Sequence, residues 1–348
     1  MSKTVESKER KGRPVTSVDV ARFARVSQST VSRVFNGAAS IAPETREHVL
    51  DASKKLGYRP NAIARGLISS RTNIIALLIM QNGSPFYHHL VDILLSEFRK
   101  RNYNVMVVRQ LDNEAGAEML VRVQEYRVDG IVVTAVEDSG TVRDICEQSD
   151  APIVLLNRYI TGVDVDIVCC DNYSAGVMVS NFFQKNGYHS VACLLGDERA
   201  LITRDRVLGI QDGSESTELS IVDLEYGRYT YESGCQMCRQ MMQRLTERPD
   251  VVFCAADVIA FGAIDTLRYE YHLRVPEDIS VMGFNDIPET QWMAYNLTTV
   301  RQPYQELVDS CVDLLSRRIE SRNAPTMKIQ HSCAIVERGT TKRKTAAD

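Results

Sequence analysis

The pattern of apolar and polar residues along the chain changes near residue 72. Before that point, apolar residues recur at the three- and four-residue spacing of short amphipathic helices. After it, continuous apolar runs alternate with longer helical stretches. Such runs are typical of parallel strands that helices cover on both faces. The pattern therefore predicts an all-α N-terminal head followed by a larger α/β body.

The body is predicted to contain two successive series of strands and helices. Strands are expected at residues 74–80, 103–108, 131–135 and 153–156, then at 191–195, 221–224, 251–254 and 279–284. Helices are expected at residues 86–101, 114–127, 173–186, 231–245, 259–271 and 304–320, with a final strand at 329–336. Two series indicate two lobes. Ligands in such sheets bind outside the carboxyl ends of the strands, and two facing lobes form a cleft that a hinge can close.

The head contains two helical patterns that meet at Arg25, Val26 and Ser27, a connection short enough only for a tight helix-turn-helix. Ser27 is a natural N-cap for the second helix because its hydroxyl can accept from an otherwise unpaired backbone N–H. Ala21 is small where the two helices must cross. The inward apolar faces are expected to comprise Val20, Phe23, Ala24, Val31, Val34 and Phe35.

The second helix presents a polar outer face. Helical spacing turns four hydrogen-bonding side chains outward, and these are Gln28, Ser29, Ser32 and Arg33. They suit base edges and phosphates. A small capped helical hairpin with a polar surface is the alternative interpretation. A third helix is expected at residues 43–56, with Pro43 at its start and Gly57 just after its end.

Charge favours the DNA-binding interpretation. Residues 1–72 contain 14 Lys and Arg against 6 Asp and Glu, a net charge of +8. Residues 73–348 contain 27 against 39, a net charge of −12. Clustered positive charge neutralises phosphates and releases counterions, so the head is expected to bind a polyanion. The acidic body is not.

Several other classes of protein are disfavoured. No run of about 18 apolar residues is present, so no membrane span is expected. Residues 1–14 are polar and basic without the apolar segment of a secretory signal, so we expect a cytoplasmic protein. These residues are either a basic arm that enters a minor groove or a solvated tail.

The cysteines and histidines do not indicate a metal site. Nine cysteines in a chain of this kind are expected to be reduced thiols, with Cys193 and Cys254 acting as small hydrophobic residues in strands. Cys235 and Cys238 form a lone CxxC with no second pair of ligands. Neither a Walker-type nor a GxGxxG loop is found. No metal and no cofactor are therefore expected.

A set of short motifs follows in a specific order and spacing along nearly the whole chain. The motifs are TVSRV at 30–34 with Asn36, TR at 45–46, GYRPN at 57–61, SPFY at 84–87, VDG at 128–130, DN at 171–172, Arg206 with Gly209, RVPEDISV at 274–281 and LTTVRQP at 297–303. In this order they resemble the Lac repressor/Gal repressor family of bacterial transcription regulators. The resemblance implies a helix-turn-helix head, a hinge helix and a body similar to periplasmic sugar-binding proteins.

The resemblance also implies how such a protein works. It binds a pseudo-palindromic operator as a homodimer or tetramer, and an effector alters its affinity for DNA. The DNA-binding residues predicted here are Thr16, Ser27, Gln28, Ser29, Thr30, Ser32, Arg33, Asn36, Asn61, Ala64 and Leu67. Two positions depart from the family. Ala42 stands where the family usually has a capping Ser or Thr, and Arg25 stands where the family commonly has Gly or Asn.

The hinge follows the head. Asn61 can cap a short helix that Ala64 favours, but a helix this short is marginal in water and should order only against a partner hinge and DNA. Leu67 matches the family's leucine that wedges between base steps in the minor groove. The alternative is a flexible linker in which Leu67 has no such role.

The predicted effector site lies between the lobes. Its residues are Phe86, Asn157, Arg206, Asp257, Asn285 and Trp292. Arg206 matches the family arginine that bonds effector hydroxyls or carboxylates, whereas Asn285 replaces a family Asp that binds sugar hydroxyls. The resemblance implies a sugar-like effector, and the loss of that carboxylate favours an anionic one. A sugar or a sugar acid is therefore expected. Phe86 and Trp292 are expected either to stack on a sugar ring or to pack in the core.

The predicted domains follow from these assignments. They are an arm at 1–14, a DNA-binding domain at 15–60, a hinge helix and linker at 61–72, an effector-binding and dimerisation domain at 73–340, and a tail at 341–348. Lobe 1 is expected at about 73–171 and 300–328, and lobe 2 at about 172–299 and 329–340.

Two other classes of function were weighed against a regulator. A sugar-binding transport receptor would match residues 73–340, but the absent signal peptide and the basic head disfavour it. An α/β enzyme fused to a DNA-binding domain would need a nucleophile with its base, paired carboxylates or a phosphate loop, and none is found. The sequence therefore predicts an effector-controlled regulator, most simply a repressor, without enzymatic activity.

Overall fold

The head is a three-helix unit. A computed structural model describes residues 15–35, 40–59, 71–79, 85–110, 116–134, 139–215 and 217–343. The chain divides into a first unit, Met1–Thr72, and a second unit, Asn73–Asp348. The helices of the head are α1 (Ser17–Phe23), α2 (Gln28–Phe35) and α3 (Pro43–Leu56).

The core of the head differs from the predicted one at a single position. Its buried apolar residues are Val20, Ala21, Ala24, Val31, Val34, Val49 and Ala52. Phe23, predicted to face inward, is 54% exposed at the last position of α1, where the chain turns away from α2. Phe35 is half-buried and packs edge-on against Tyr58. The inward prediction for Phe23 was therefore wrong.

Local backbone signals around α3 agree with the sequence analysis. Ala42 provides no side-chain cap, Pro43 opens the helix, and Gly57 ends it in the left-handed conformation with φ of 66°. Arg25 in the turn before α2 also has a positive φ, 52°. A left-handed conformation costs a non-glycine residue roughly 1 kcal/mol, so the turn carries modest strain.

The body is built from two six-stranded sheets. The strands are β1 (Ile74–Ile79), β2 (Asn104–Arg109), β3 (Gly130–Val133), β4 (Ile153–Leu156), β5 (Asp166–Cys170), β6 (Ser190–Leu195), β7 (Ser220–Tyr226), β8 (Val251–Cys254), β9 (Ser280–Asn285), β10 (Thr298–Arg301), β11 (Lys328–His331) and β12 (Ala334–Val336). The helices are α4 (Pro85–Lys100), α5 (Gly116–Gln124), α6 (Ser139–Gln148), α7 (Asn172–Lys185), α8 (Leu201–Ser214), α9 (Tyr231–Arg244), α10 (Asp257–Tyr269) and α11 (Tyr304–Glu320).

Each sheet forms the centre of one lobe. The first has the strand order β11-β5-β4-β3-β1-β2, and the second the order β12-β10-β9-β8-β6-β7. All described pairings are parallel except that of β10 with β12. Four inner strands, β3, β4, β8 and β9, are buried along their whole length, as continuous apolar runs predict. Parallel sheets covered by helices confirm the predicted fold class.

The chain crosses between the lobes at different points from those predicted. Strand β10 stays in the second sheet as far as Arg301, and β11 belongs to the first sheet as far as His331. The predicted final strand at 329–336 is therefore two strands in two sheets. The predicted crossing points at 299/300 and 328/329 were too early, because sequence periodicity does not reveal which sheet a short strand joins.

The residues just after 340 are part of the body, although a tail was predicted there. Thr298 N–H donates to Thr340 Oγ1 over 2.9 Å, and Val281 N–H donates to the Thr340 carbonyl over 2.8 Å. The Tyr188 hydroxyl donates to the Lys342 carbonyl over 2.6 Å. These buried hydrogen bonds hold residues 340–342 against the second sheet.

Two glycines allow α7 and α8 to approach closely. A Cβ on Gly209 would lie 2.1 Å from the Tyr173 carbonyl oxygen, and one on Gly176 would lie 2.3 Å from the Arg206 carbonyl oxygen. Both contacts are backbone contacts that no side-chain rotation relieves. The two glycines therefore set the distance between α7 and α8.

We expect Gly209→Ala to lower the free energy of unfolding of the body by about 2 kcal/mol or more, because the added methyl forces the two helices apart. Leu208→Ala on the same helix is the control, since Leu208 is 48% exposed and should cost much less. Urea unfolding followed by circular dichroism measures both. Equal losses for the two variants would contradict the close-packing assignment.

Candidate functional site

The second helix of the head presents the predicted polar face. Gln28, Ser29 and Arg33 are exposed, and Ser32 is half-buried. The Gln28 amide donates to the Ser17 hydroxyl over 3.1 Å, which links α2 to the start of α1. The guanidinium of Arg46 donates to the Val34 carbonyl over 3.1 Å and ties α3 to the end of α2. The polar face is thus held on a rigid three-helix support.

The hydroxyl residues around the turn have structural partners. Ser27 Oγ accepts from the Thr30 N–H over 3.0 Å, which confirms the predicted N-cap. The same hydroxyl lies 2.7 Å from Ser29 Oγ and 2.8 Å from Thr30 Oγ1. Thr16 caps α1 by a reciprocal capping box with Asp19. Of the other predicted DNA-binding residues, Asn36, Asn61, Ala64 and Leu67 lie outside the described residues, as does the arm at 1–14.

In the body, polar side chains gather where the parallel strands end. Arg206, on α8, is 2% exposed. Its Nε donates to Asn172 Oδ1 over 2.8 Å, and its Nη1 donates to the Ala255 carbonyl over 2.7 Å. The guanidinium carbon lies 3.6 Å from the centroid of the Phe284 ring. Since these two contacts and a hydrogen bond to Cys170 use three of the five N–H donors of arginine, two donors remain.

The first lobe reaches this guanidinium through Asn157 and Cys170. Asn157, which follows β4, is buried with a positive φ of 54°. Its Oδ1 lies 4.0 Å from the Cys170 sulfur, and that sulfur lies 3.4 Å from Asn172 Oδ1. Asn172 opens α7 directly after β5. The ends of β4 and β5, in the first lobe, thus approach Arg206, which belongs to the second lobe.

A second set of contacts begins at Asn285, the residue after Phe284, and leads to the crossover after β10. Asn285 ends β9 with φ of 123°, and its Oδ1 accepts from the Gln302 amide over 2.7 Å. Tyr304 follows at the start of α11, and its ring lies 5.3 Å from that of Phe86. Phe86 is 2% exposed, so it packs in the core.

These residues form two sets of contacts, which adjoin at Phe284 and Asn285 on β9. We call Asn157, Asn172, Arg206, Phe284, Asn285, Gln302 and Tyr304 the strand-end cluster. Two buried atoms in it, the Tyr304 hydroxyl and Gln302 Oε1, have no hydrogen-bond partner among the described residues. Burial also raises the pKa of Tyr304, so its hydroxyl stays protonated and can donate. Buried polar groups normally have a partner, so these two atoms are suited to a ligand.

Asp257 has a structural position beside this cluster. It is fully buried at the start of α10, where Oδ2 accepts from the Ile287 N–H over 2.9 Å and Oδ1 accepts from the Thr299 hydroxyl. Burial raises the pKa of Asp257 to about 7. Both oxygens are thus already engaged with the protein.

Trp292 is not brought to the cluster by any described contact. Its side chain is 57% exposed and stands beside Met293, which is 100% exposed. The short 3₁₀-helix Pro288–Gln291 ends just before it. Trp292 therefore does not pack in the core, which was one of its two predicted positions.

Several members of the cluster were not predicted from the sequence. Asn172, Gln302 and Tyr304 were quoted only within motifs or as part of a helix. Tyr229 was also missed; its ring occupies the space that a side chain at Gly196 would fill, and its hydroxyl lies 3.0 Å from Thr203 Oγ1. Their position directly after a strand or at a helix start was the available signal.

Two searches of the described residues gave negative results. No group of three or more His, Cys, Asp or Glu side chains among them could hold a metal ion. None of the described helices is both long enough and apolar enough to cross a membrane. The described cysteines, including Cys235 and Cys238, are free thiols.

Comparison with known proteins agrees with this architecture. Residues 17–61 match the family described as "Bacterial regulatory proteins, lacI family". Residues 72–337 match the family described as "Periplasmic binding proteins and sugar binding domain of LacI family".

Similar proteins cover nearly the whole chain. The ribose operon repressor of Escherichia coli (strain K12) is 30% identical over 328 residues, which are 93% of this chain and 99% of that protein. The transcriptional repressor PurR of Mannheimia succiniciproducens is 29% identical over 332 residues, covering 94% and 99%. The Lac repressor dimer bound to operator and the anti-inducer ONPF has a TM-score of 0.84 at 24% identity, covering 95% of this chain and 100% of that one. The transcriptional regulator CelR in complex with cellobiose has a TM-score of 0.71 at 26% identity, covering 94% and 100%.

A helix-turn-helix head on a two-sheet α/β body defines a DNA-binding transcription regulator. The chain belongs to the LacI family of bacterial regulatory proteins. This family consists of regulators, which agrees with the expectation that the protein is not an enzyme.

The raised pKa of Asp257 predicts a pH-dependent stability. An unfolded aspartate has a pKa near 3.8, so between about pH 4 and pH 7 the folded protein holds a proton that the unfolded chain releases. The stabilisation from this site is complete below about pH 4 and is lost as the pH rises to about 7. Asp257→Asn should remove this dependence while keeping an acceptor for the Ile287 N–H.

The test is the difference in unfolding free energy between the parent and Asp257→Asn from pH 5 to pH 8. The parent should lose stability relative to the variant as the pH rises, by up to about 1.4 kcal/mol per pH unit below pH 7. Because all other titrating groups are shared, they cancel in this difference. A difference that stays constant or changes in the opposite direction would be inconsistent with a protonated buried Asp257.

Proposed function

We propose that this protein is an operator-binding transcriptional repressor whose affinity for DNA is set by a small effector at the strand-end cluster. The effector is a sugar or a sugar acid. The protein acts in the cytoplasm, where its DNA target lies. One observation carries the effector assignment: the buried, unpartnered Tyr304 hydroxyl and Gln302 Oε1 share a cluster with the buried Arg206 guanidinium.

DNA recognition is assigned to the head on charge and geometry. The net charge of +8 on residues 1–72 suits a phosphate backbone. The exposed Gln28, Ser29 and Arg33 on α2 can reach base edges in a major groove. At the hinge, Asn61 and Ala64 favour a short helix and Leu67 is assigned the minor-groove wedge, by resemblance to the family.

The protein is proposed to bind a pseudo-palindromic operator as a homodimer. The Lac repressor that it resembles in fold was solved as a dimer on its operator. The body of this chain exposes two large apolar side chains side by side, Trp292 and Met293. Exposed apolar surface of this kind is commonly buried between subunits.

We expect Arg33→Ala to weaken operator binding by about 1–3 kcal/mol per half-site and to relax the base preference at one position, because a bidentate contact to a base is lost. An operator can be selected from a random duplex library with the parent protein and then varied base by base in gel-shift assays. Arg22→Ala is the charge-matched control on α1.

Arg22 pairs with Asp19 on an exposed surface, so its removal should lower affinity for all sequences slightly and equally. The recognition assignment fails if Arg33→Ala shows the same base preferences as the parent. It also fails if the two arginine variants behave alike.

The chemistry of the cluster favours a hydroxylated ligand. The Tyr304 hydroxyl can donate, and Gln302 Oε1 can accept. The two remaining donors of Arg206 can hold a carboxylate or two vicinal hydroxyls by parallel bonds. Asn285, unlike an Asp, places no negative charge beside an acidic ligand. These features together favour a sugar acid over a neutral sugar.

We expect Arg206→Ala to reduce effector affinity about 100-fold while operator binding is retained, because the charge-assisted hydrogen bonds to the ligand are lost. Arg204→Ala on the same helix is the control, since Arg204 is exposed. Asn285→Asp should shift the preference toward neutral sugars. Calorimetric titration with paired aldoses and their acids measures these effects, and circular dichroism checks that each variant is folded.

Arg206 is buried, so Arg206→Lys provides a second variant that keeps the charge but loses the planar pair of donors. It should bind the acid less tightly than the parent and more tightly than Arg206→Ala. Equal affinity of the parent and both Arg206 variants for the acid would rule out the anchor role. Tighter binding of neutral aldoses by the parent would rule out the anionic preference.

A further inference from the structure

Two cysteine thiols lie against each other beside the strand-end cluster. Cys170 is the last residue of β5, and Cys333 stands between β11 and β12. Strands β5 and β11 are paired in parallel, with His331 opposite Cys170, and the Asp171 N–H donates to the His331 carbonyl over 2.9 Å. Cys333 follows this pair two residues further on, after β11 has ended, and its thiol interacts with that of Cys170.

The two thiols have different surroundings. Cys170 is fully buried, with its sulfur 3.4 Å from Asn172 Oδ1, and it faces the Arg206 guanidinium. The hydrogen bond from Cys333 and the charge of Arg206 hold the pKa of Cys170 below its usual value, although burial opposes them. Cys333 is partly exposed, and its hydrogen bond to Cys170, together with burial, raises its pKa. Within the pair, these surroundings favour the thiolate form at Cys170 over the thiolate form at Cys333.

The pair also lies at the connections between the lobes. From residue 139 to residue 343 the chain crosses between the two sheets three times, after Cys170, after Arg301, and between His331 and Ala334. Cys170 stands at the first crossing and Cys333 at the third. A covalent bond between these two sulfurs would join two of the three connections about which the lobes rotate.

We propose that Cys170 and Cys333 form an oxidation site at which a hydroperoxide converts the two thiols into a disulfide that links the first and third crossovers. This assignment does not depend on the identity of the effector. Neighbouring thiols are suited to it because an ordinary disulfide requires the two sulfurs to approach to about 2.05 Å.

The chemistry has two steps. The thiol of Cys333, which is the more exposed, loses its proton to water, and the resulting thiolate attacks the terminal oxygen of the hydroperoxide. The S–O bond forms, the O–O bond breaks, and the alkoxide takes a proton from water and leaves as an alcohol. Cys170 then loses its proton and its sulfur attacks Cys333, so that the S–S bond forms and hydroxide leaves with that proton as water. Both sulfurs are oxidised, and the hydroperoxide is reduced.

The test uses the full-length protein treated with hydrogen peroxide and then alkylated, with peptide mapping by mass spectrometry. The expected product is a peptide pair joined through Cys170 and Cys333, with a mass lower by two hydrogens, which dithiothreitol separates. The melting temperature should rise by several degrees on oxidation and return on reduction, because a cross-link between distant residues restricts the unfolded chain.

Cys169 provides a matched control. It precedes Cys170 on the same strand, but its side chain packs with the other face of the first sheet. Cys169→Ala should retain the linked peptide and the rise in melting temperature, whereas Cys170→Ala and Cys333→Ala should each lose both. If Cys170→Ala fails to fold, Cys333→Ala still tests the proposal, because Cys333 is only partly buried.

Two results would overturn the proposal. One is that Cys170 and Cys333 stay reduced at peroxide concentrations that oxidise the partly exposed Cys146. The other is that the disulfides formed join separate protein chains or involve Cys169 in place of Cys170. Loss of effector binding in the Arg206 variants would not affect this test, so failure of the proposed function and failure of the oxidation site can be told apart.

Discussion

The arrangement of the body depends on one buried charge. Arg206 is almost completely removed from solvent, and an unpaired guanidinium in that position would cost several kcal/mol. Its environment is therefore constrained: an amide oxygen from Asn172, a carbonyl oxygen from Ala255 and the face of the Phe284 ring must all lie within reach. These groups come from the start of α7, the end of β8 and the end of β9. One side chain thus fixes the relative positions of three elements at the ends of the strands.

The same constraint explains the packing of the helices that carry it. Arg206 can reach Asn172 only if α7 and α8 lie closer than side chains normally permit, and Gly176 and Gly209 provide that approach. Cys170 and Asn157 then meet the group from the first lobe. Polar groups from both lobes therefore converge on one guanidinium. A change in the contacts of Arg206 would therefore act on strand ends in both lobes.

Much of the architecture can be predicted from the sequence, because the architecture depends on local patterns of residues. The helices at 43–56 and 304–320 were placed at their observed bounds, since a proline or a glycine marks the ends of the first and a clear amphipathic pattern defines the second. The strands β4 and β8 were also placed at their observed bounds. Strands β5 and β10 and helices α6 and α8 were not predicted. The buried face of helix α8 carries the charged Arg206 among apolar residues. Its sequence therefore lacks the continuous apolar stripe that predicts a helix.

The sequence by itself determined the class of fold, the polarity of the second helix of the head, and the division of charge between head and body. These features follow from periodicity, composition and short motifs, all of which are properties of neighbouring residues. Tertiary structure decided which residues meet Arg206, that both oxygens of Asp257 are engaged, that Trp292 is exposed, and that Cys170 and Cys333 touch. Such contacts join residues that are tens or hundreds of positions apart. They depend on strand register and on which sheet a short strand joins, and no local pattern in the chain encodes either.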